Sequence, residues 1–253
     1  MKLFILLTLT MLMPTSLFGQ GGPRPDSALV LSSNPSAQEL TELFSETTAG
    51  KHDPFQVLPK VASLGNKVVP ALQTFLFNTP VVKVAVFDST GRVIDSVNAP
   101  PPNRVYGVMA LDLIGTPAAY QILADVAQSD TNTDVRGMAL RSMAMGYYYK
   151  TLQDSLSPDK EVVHLMLRYM DDTTGVKECS LRVGDIARQG LKNWTGVNYG
   201  EILPDSLRAK DENRFGMTMA RYHERRWQQE SGKMKWNKDK GHFELGENGE
   251  AKK

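Results

Sequence analysis

The chain has 253 residues, of which 41% are hydrophobic, 23% charged and 8% aromatic. This globular composition excludes a fibrous repeat, a disordered chain and a multi-span membrane protein. The 29 lysines and arginines nearly balance the 28 aspartates and glutamates, so the formal charge of +1 gives no general attraction for nucleic acid or anionic lipid. The single cysteine, Cys179, excludes an internal disulfide framework and four-cysteine zinc sites.

The N-terminus has the pattern of a secretory signal peptide. Lys2 is followed by an uncharged, mostly apolar run over residues 3–13, and then by Pro14 and small or polar residues up to Gly19. A helix needs about 20 apolar residues to span a bilayer, so this run is too short for a stable membrane anchor. We therefore predict a signal peptide over residues 1–19, cleaved near Gly19, and a periplasmic or secreted protein.

A Gly/Pro-rich linker over residues 20–36 precedes a helical domain predicted for residues 37–200. Ser36 and Asp53 are residue types that cap helix N-termini, and Pro54 follows Asp53 at the favoured first helical position. Short amphipathic segments separated by Gly, Pro, Asn and Asp then continue along the domain. The last of them carries an apolar stripe from Val176 through Cys179 to Leu191, which predicts a single helix.

One segment breaks the helical pattern. Residues 81–97 alternate β-branched residues around the turn sequence at 88–91, which predicts a β-hairpin inserted within residues 80–102. Because an isolated hairpin is only marginally stable, it is either a flap packed on the helices or a protruding recognition element.

The C-terminal part is predicted as a capping helix over residues 201–230, opened by Pro204 and Asp205, followed by a disordered polar tail over residues 231–253.

The helical domain contains an internal repeat. The sequence VYGVMAL at residues 105–111 recurs as VRGMAL at residues 135–140, and Gly115 and Gly146 both follow helical segments about thirty residues apart. A helix pair of that length cannot bury its apolar face alone, so the repeats are expected to stack on each other.

The junction sequences resemble HEAT-like repeats of the PBS-lyase type. LGNKVVPAL at residues 64–72 and LIGTPAA at residues 113–119 match the family's helix, glycine and proline-opened second helix, and Asp134-Val135-Arg136 resembles the start of a first helix. The resemblance covers residues 50–196 and implies an all-α, α-α superhelix of the armadillo type with the hairpin as an insertion. An irregular helical bundle is the alternative within the same class.

No motif for chemistry is complete. The nucleophile elbow, the paired-histidine zinc helix, the calcium loop and the P-loop are absent, and the four histidines at 52, 164, 223 and 242 are far apart. We therefore predict no catalytic residue, no metal and no cofactor.

Two groups of residues are candidates for binding. Tyr147, Tyr148 and Tyr149 follow Gly146, so at least one ring is expected to face outward, although all three could instead seal a gap between repeats. Arginines recur on the helices and either form a groove for acidic groups or pair with neighbouring carboxylates. They are Arg104, Arg136, Arg141, Arg182 and Arg188.

The sequence thus predicts an exported, non-enzymatic helical-repeat scaffold that binds a protein or peptide and no nucleic acid. Two alternatives stay open: a periplasmic enzyme using His164 with Asp171 or His223 with Glu224, and a structural subunit of an envelope complex. The sequence does not specify the partner, the oligomeric state, the state of Cys179 or the use of the glycosylation triplet at Asn193.

Overall fold

The computed structural model describes residues 31–79, 83–87, 92–98, 102–197 and 219–246, and this part of the chain is mostly helical. The predicted all-α class is therefore confirmed at this level. The helices are α1 (Ala37–Thr48), α2 (Pro54–Ala62), α3 (Val69–Phe77), α4 (Val105–Ile114), α5 (Pro117–Ser129), α6 (Thr133–Arg141), α7 (Tyr148–Leu152), α8 (Lys160–Tyr169), α9 (Val183–Thr195) and α10 (Met219–Glu230). The predicted signal peptide and linker residues 20–30 lie outside the described residues.

Local signals set the helix ends. Ser36 forms a capping box with Glu39 at the start of α1, and Asp53 accepts the first free N–H of α2, as predicted. Gly115 and Gly196 end α4 and α9 with φ of +64° and +68°, a left-handed conformation that glycine adopts without steric cost.

The alternate helices form two layers. In one layer α2 contacts α4, α4 contacts α6, and α6 contacts α9. In the other layer α1 contacts α3, α3 contacts α5, and α5 contacts α8. Neighbouring helices in the sequence, such as α4 and α5, pack across the two layers and enclose the core between them.

Helix α6 continues into one turn of π-helix over Ser142–Tyr147 and then into α7. The sequence did not indicate this change of winding. Single π turns are rare and occur mostly where a helix must reposition side chains around a particular contact.

The predicted hairpin insertion is confirmed by strands β1 (Lys83–Phe87) and β2 (Val93–Asn98). They pair antiparallel from Lys83 opposite Asn98 to Phe87 opposite Val93, with an irregularity after Val86. The turn at residues 88–91 lies outside the described residues.

The prediction of one helix from Val176 to Leu191 is wrong at its N-terminal end. Residues 175–182 form a small hairpin of strands β3 (Gly175–Val176) and β4 (Leu181–Arg182), and α9 begins only at Val183. Val176 and Cys179 share helical spacing with α9, but Val176 is buried against α6 instead.

The prediction of a disordered tail is wrong for residues 231–246. A 3₁₀ turn leads into strands β5 (Met234–Asn237) and β6 (His242–Leu245), which pair antiparallel. Aromatic side chains explain the order, because Trp236 and Phe243 pack against Trp194 of α9. Helix α10 falls within the predicted capping segment, whose residues 201–218 lie outside the described part. In the described ranges, no helix combines the length and apolarity needed to cross a bilayer.

Candidate functional site

Two of the three candidate tyrosines are partly buried and pack against the core. The Tyr147 ring lies edge-on to Tyr120 at 4.9 Å between ring centroids, and its hydroxyl donates to the Ser157 carbonyl at 2.9 Å. The Tyr148 ring lies 5.6 Å from Trp194. Tyr147 of the π turn and Tyr148 of α7 therefore both contact Trp194 of α9, and Tyr148 also contacts Trp236 of the C-terminal hairpin.

The third tyrosine faces solvent. Tyr149 is 46% exposed, and Leu152, three residues later and on the same side of α7, is 41% exposed. We call these two residues the α7 ridge. The Tyr149 ring contacts that of Tyr148 at 5.8 Å, so the ridge lies directly on the packed aromatic cluster.

Three of the candidate arginines, which we call the arginine ladder, donate to backbone carbonyls at the C-terminal ends of helices. Those carbonyls have no partner within their own helix, so a guanidinium there satisfies them and complements the helix dipole. The pairs are Arg104 with Leu76 at the end of α3, Arg136 with Asp130 after α5 at 2.8 Å, and Arg188 with Met170 after α8 at 2.8 Å.

The arginine ladder also pairs with carboxylates. Arg104 binds the buried carboxylate of Asp130 through both terminal nitrogens, and Arg136 lies 3.9 Å from the carboxylate of Asp172. Asp130 follows α5 and Asp172 follows α8, so each of these two arginines connects the end of one helix with the end of the next helix in the same layer. Arg188 instead pairs with Asp185 of its own helix. Pairing with carboxylates is the second of the two roles that the sequence left open.

The other two candidate arginines lie elsewhere. Arg141 is partly buried near Asp112 and Cys179, and its charge acts to lower the pKa of both groups against the opposing effect of burial. Arg182 is exposed in β4. The five arginines are therefore not gathered in one groove.

A partly buried carboxyl network around Asp112 was not predicted from the sequence. Tyr120 donates its hydroxyl to Asp112 Oδ1 at 3.0 Å, and Ser142 also hydrogen-bonds the carboxyl group. A side chain at Gly146 in the π turn would collide with Asp112 Oδ1, so the backbone leaves no room for a ligand on that side. An available signal was the position of Asp112 in an otherwise apolar run, between Leu111 and Leu113.

Burial raises the pKa of Asp112 above its ordinary value of 3.8, although Tyr120, Ser142, Arg141 and Lys150 act in the opposite direction. The raised pKa of Tyr120 has burial as its first cause and the Asp112 charge as its second. The folded state therefore holds the Asp112 proton more tightly than the unfolded chain does, and the network is most stable when this carboxyl group is neutral.

We expect Asp112→Asn to remove part of the pH dependence of stability. The stabilisation from the raised pKa is complete below the ordinary value of 3.8 and is lost as the pH rises through the raised value. Urea unfolding at pH 4 and pH 7 should show a smaller loss of unfolding free energy in the variant than in the wild type, by about 1.4 kcal/mol per unit of raised pKa.

Asp125→Asn is the matched control, because Asp125 is an exposed carboxylate on α5. Its pH dependence should follow that of the wild type. Equal slopes for wild type and Asp112→Asn would show that the network does not retain a proton on folding.

The histidine that the enzyme alternative relies on contacts an indole. His164 Nε2 accepts a hydrogen bond from Trp227 Nε1 at 3.0 Å, so the neutral ring carries its hydrogen on Nδ1. This contact joins α8 to α10. Glu224 of the second proposed pair is exposed, and the side chain of His223 lies outside the described part.

A cavity of about 330 Å³ lies between the end of α9, α10 and the C-terminal hairpin. Its apolar walls include Trp227, Met234 and Phe243, and Arg226 and Glu244 contribute polar groups. Arg226 is already paired with Glu230 at 2.8 Å, and Glu244 with Lys240 at 2.6 Å.

Within the described ranges, no group of three or more His, Cys, Asp or Glu side chains is placed to hold a metal ion. No protein-family model, no curated protein and no solved structure matches this chain.

Proposed function

We propose that this chain is an exported helical-repeat scaffold that binds a protein or peptide partner through the α7 ridge. In this proposal the chain catalyses no reaction. The signal peptide over residues 1–19 directs it to the periplasm or to the outside of the cell. The observation that carries the proposal is an exposed apolar pair, Tyr149 and Leu152, held on a packed aromatic base.

The helix contacts and the arginine ladder support a HEAT-like superhelix. Each layer is built by contacts between alternate helices, as expected when helix pairs stack in series. The ladder places a guanidinium on a helix-end carbonyl at the ends of α3, α5 and α8, which are helices of one layer. An irregular bundle would not require the same contact to recur at these three helix ends.

The base of the α7 ridge is held from several directions. Tyr148 packs between Tyr149 and Trp194, and Lys238 of the C-terminal hairpin binds Asp154 just after α7 at 2.6 Å. A tyrosine on a fixed base loses little conformational entropy when it is covered, which favours its use as an interface anchor. The partner is expected to present an apolar side chain to this pair.

We expect Tyr149→Ala to weaken binding at least tenfold, because interface tyrosines commonly contribute more than about 1.4 kcal/mol. A photoactivatable cross-linker at position 152 would capture the partner from the exported fraction. The purified partner would then be titrated against the wild type and Tyr149→Ala by calorimetry.

Phe77→Ala is the matched control, since Phe77 is also exposed but lies on α3. It should bind as the wild type does, and both variants should keep the wild-type unfolding temperature. Equal affinities for Tyr149→Ala and the wild type would exclude the α7 ridge as the binding surface.

A further inference from the structure

The small β3–β4 hairpin is attached to the start of α6. Val176 is buried against Gly137, where any side chain would collide with it. The backbone N–H of Lys177 donates to Asp134 Oδ1 at 2.8 Å. These contacts connect the segment between α8 and α9, which we call the β3–β4 turn (residues 175–182), to the first turn of a helix earlier in the chain.

The β3–β4 turn contains a strained residue. Ser180 has φ of +56°, in the left-handed region that non-glycine residues adopt only at an energetic cost. The turn has only two residue pairs, Gly175 with Arg182 and Val176 with Leu181, so its own ladder does little to maintain this conformation. The contacts with α6 are therefore needed to keep the turn in place.

One of those contacts is between two carboxyl groups. Glu178 lies within hydrogen-bonding reach of Asp134, and its Oε2 atom is buried with no hydrogen-bond partner among the described residues. Two ionised carboxylates have no hydrogen to donate to each other, so a hydrogen bond between them requires a proton on one of them. A proton on Glu178 therefore favours this position of the two carboxyl groups.

The groups near Glu178 come from α4, α6 and the turn itself. Asn103, just before α4, hydrogen-bonds its carboxyl group. The raised pKa of Tyr106 on α4 has burial as its first cause and the Glu178 charge as its second. Cys179 follows on the turn, and Arg141 of α6 lies near that thiol. Burial is the main cause of the raised pKa of Glu178, and the Asp134 charge adds to it.

We propose that the β3–β4 turn is a pH-sensitive switch, in which a proton on Glu178, beside Asp134, keeps the turn on α6. As the pH rises, that proton passes to water and leaves two carboxylates in contact. Their repulsion and the strain at Ser180 then favour a state in which the turn leaves α6 and exposes Cys179.

The direction follows from proton linkage. A carboxyl group whose pKa is raised in the closed state stabilises that state at low pH, and the stabilisation is lost as the pH rises through the raised value. The closed turn is thus favoured in acid, and an exported protein is directly exposed to the pH of its surroundings.

Cys179 supplies the measurement, because it is partly buried on the β3–β4 turn and is the single cysteine of the chain. We define its protection as the maleimide labelling rate of the urea-unfolded chain divided by that of the folded protein at the same pH, so that the ionisation of an ordinary thiol cancels. We expect this protection to fall at least tenfold from pH 5 to pH 8 in the wild type.

In Glu178→Gln the amide donates to Asp134 at every pH, so protection should stay within twofold across that range. Asp134→Asn should give the same constant protection, because its amide N–H can donate to Glu178. The asparagine oxygen still accepts the hydrogen bond from the Lys177 N–H. Glu161→Gln, at an exposed position on α8, should behave as the wild type. Constant wild-type protection, or the wild-type decrease in both amide variants, would overturn the proposal.

Discussion

Trp194→Ala should lower the free energy of unfolding by about 3–5 kcal/mol, the range found when a fully buried aromatic residue is truncated in a core. Trp194 is fully buried, with ring centroids 5.6 Å from Tyr147 and Trp236 and 6.2 Å from Phe243. The substitution would leave a cavity between α9, α7 and the C-terminal hairpin. Urea unfolding monitored by circular dichroism measures the loss.

Trp194→Phe is the control for that experiment. It keeps an aromatic ring, and it removes an indole N–H that is buried without a hydrogen-bond partner among the described residues. It should therefore lose less than half as much stability as Trp194→Ala. A loss below about 1 kcal/mol for the alanine variant would mean that the hairpin does not depend on this ring.

Arg104→Met should also cost about 3–5 kcal/mol, because it leaves a buried carboxylate without its partner. The side chain of Asp130 is 3% exposed and that of Arg104 is 26% exposed, so solvent screens the pair little. The variant also removes the donor to the Leu76 carbonyl at the end of α3. Thermal and urea unfolding at neutral pH give the value.

Two comparisons separate this buried pair from surface charge effects. Asp130→Asn in the Arg104→Met background should recover part of the loss, since the buried charge is then gone. Lys51→Met breaks the exposed Lys51–Glu46 pair and should cost no more than about 1 kcal/mol. If Arg104→Met were as mild as Lys51→Met, the ladder would not stabilise the junctions.

Local sequence signals predicted the features that depend on a few adjacent residues. The caps at Ser36 and Asp53 and the hairpin around residues 88–91 follow from side-chain hydrogen bonding and turn preference, which act within one or two turns of chain. Such features need no knowledge of distant packing.

Features that depend on long-range contacts were not predicted. The segment from residue 231 is polar, yet Trp236 and Phe243 order it by packing on Trp194, roughly 40 to 50 residues earlier. The stripe from Val176 to Leu191 suggested one helix because Val176 keeps helical spacing, whereas its burial against Gly137 makes it part of a turn. Neither the amino-acid composition nor the hydrophobic periodicity indicates which distant residues will be in contact.

The candidate site also combines features that the local sequence predicted with features that depend on long-range contacts. Adjacent tyrosines on a helix must face different directions, which leads to the exposed Tyr149 beside the packed Tyr147 and Tyr148. Whether an arginine meets a carbonyl, a carboxylate or solvent depends on the junction it reaches, and the sequence left that choice open for Arg136 and Arg188.

The arginine ladder has a consequence for how such a chain can change in length. Arg104 pairs with Asp130 after α5, and Arg136 lies near Asp172 after α8. A deletion that removed α5 with Asp130 but kept Arg104 would leave a partly buried guanidinium without its counterion. We therefore expect a change of length in this region to be tolerated only when an arginine and its acid are gained or lost together.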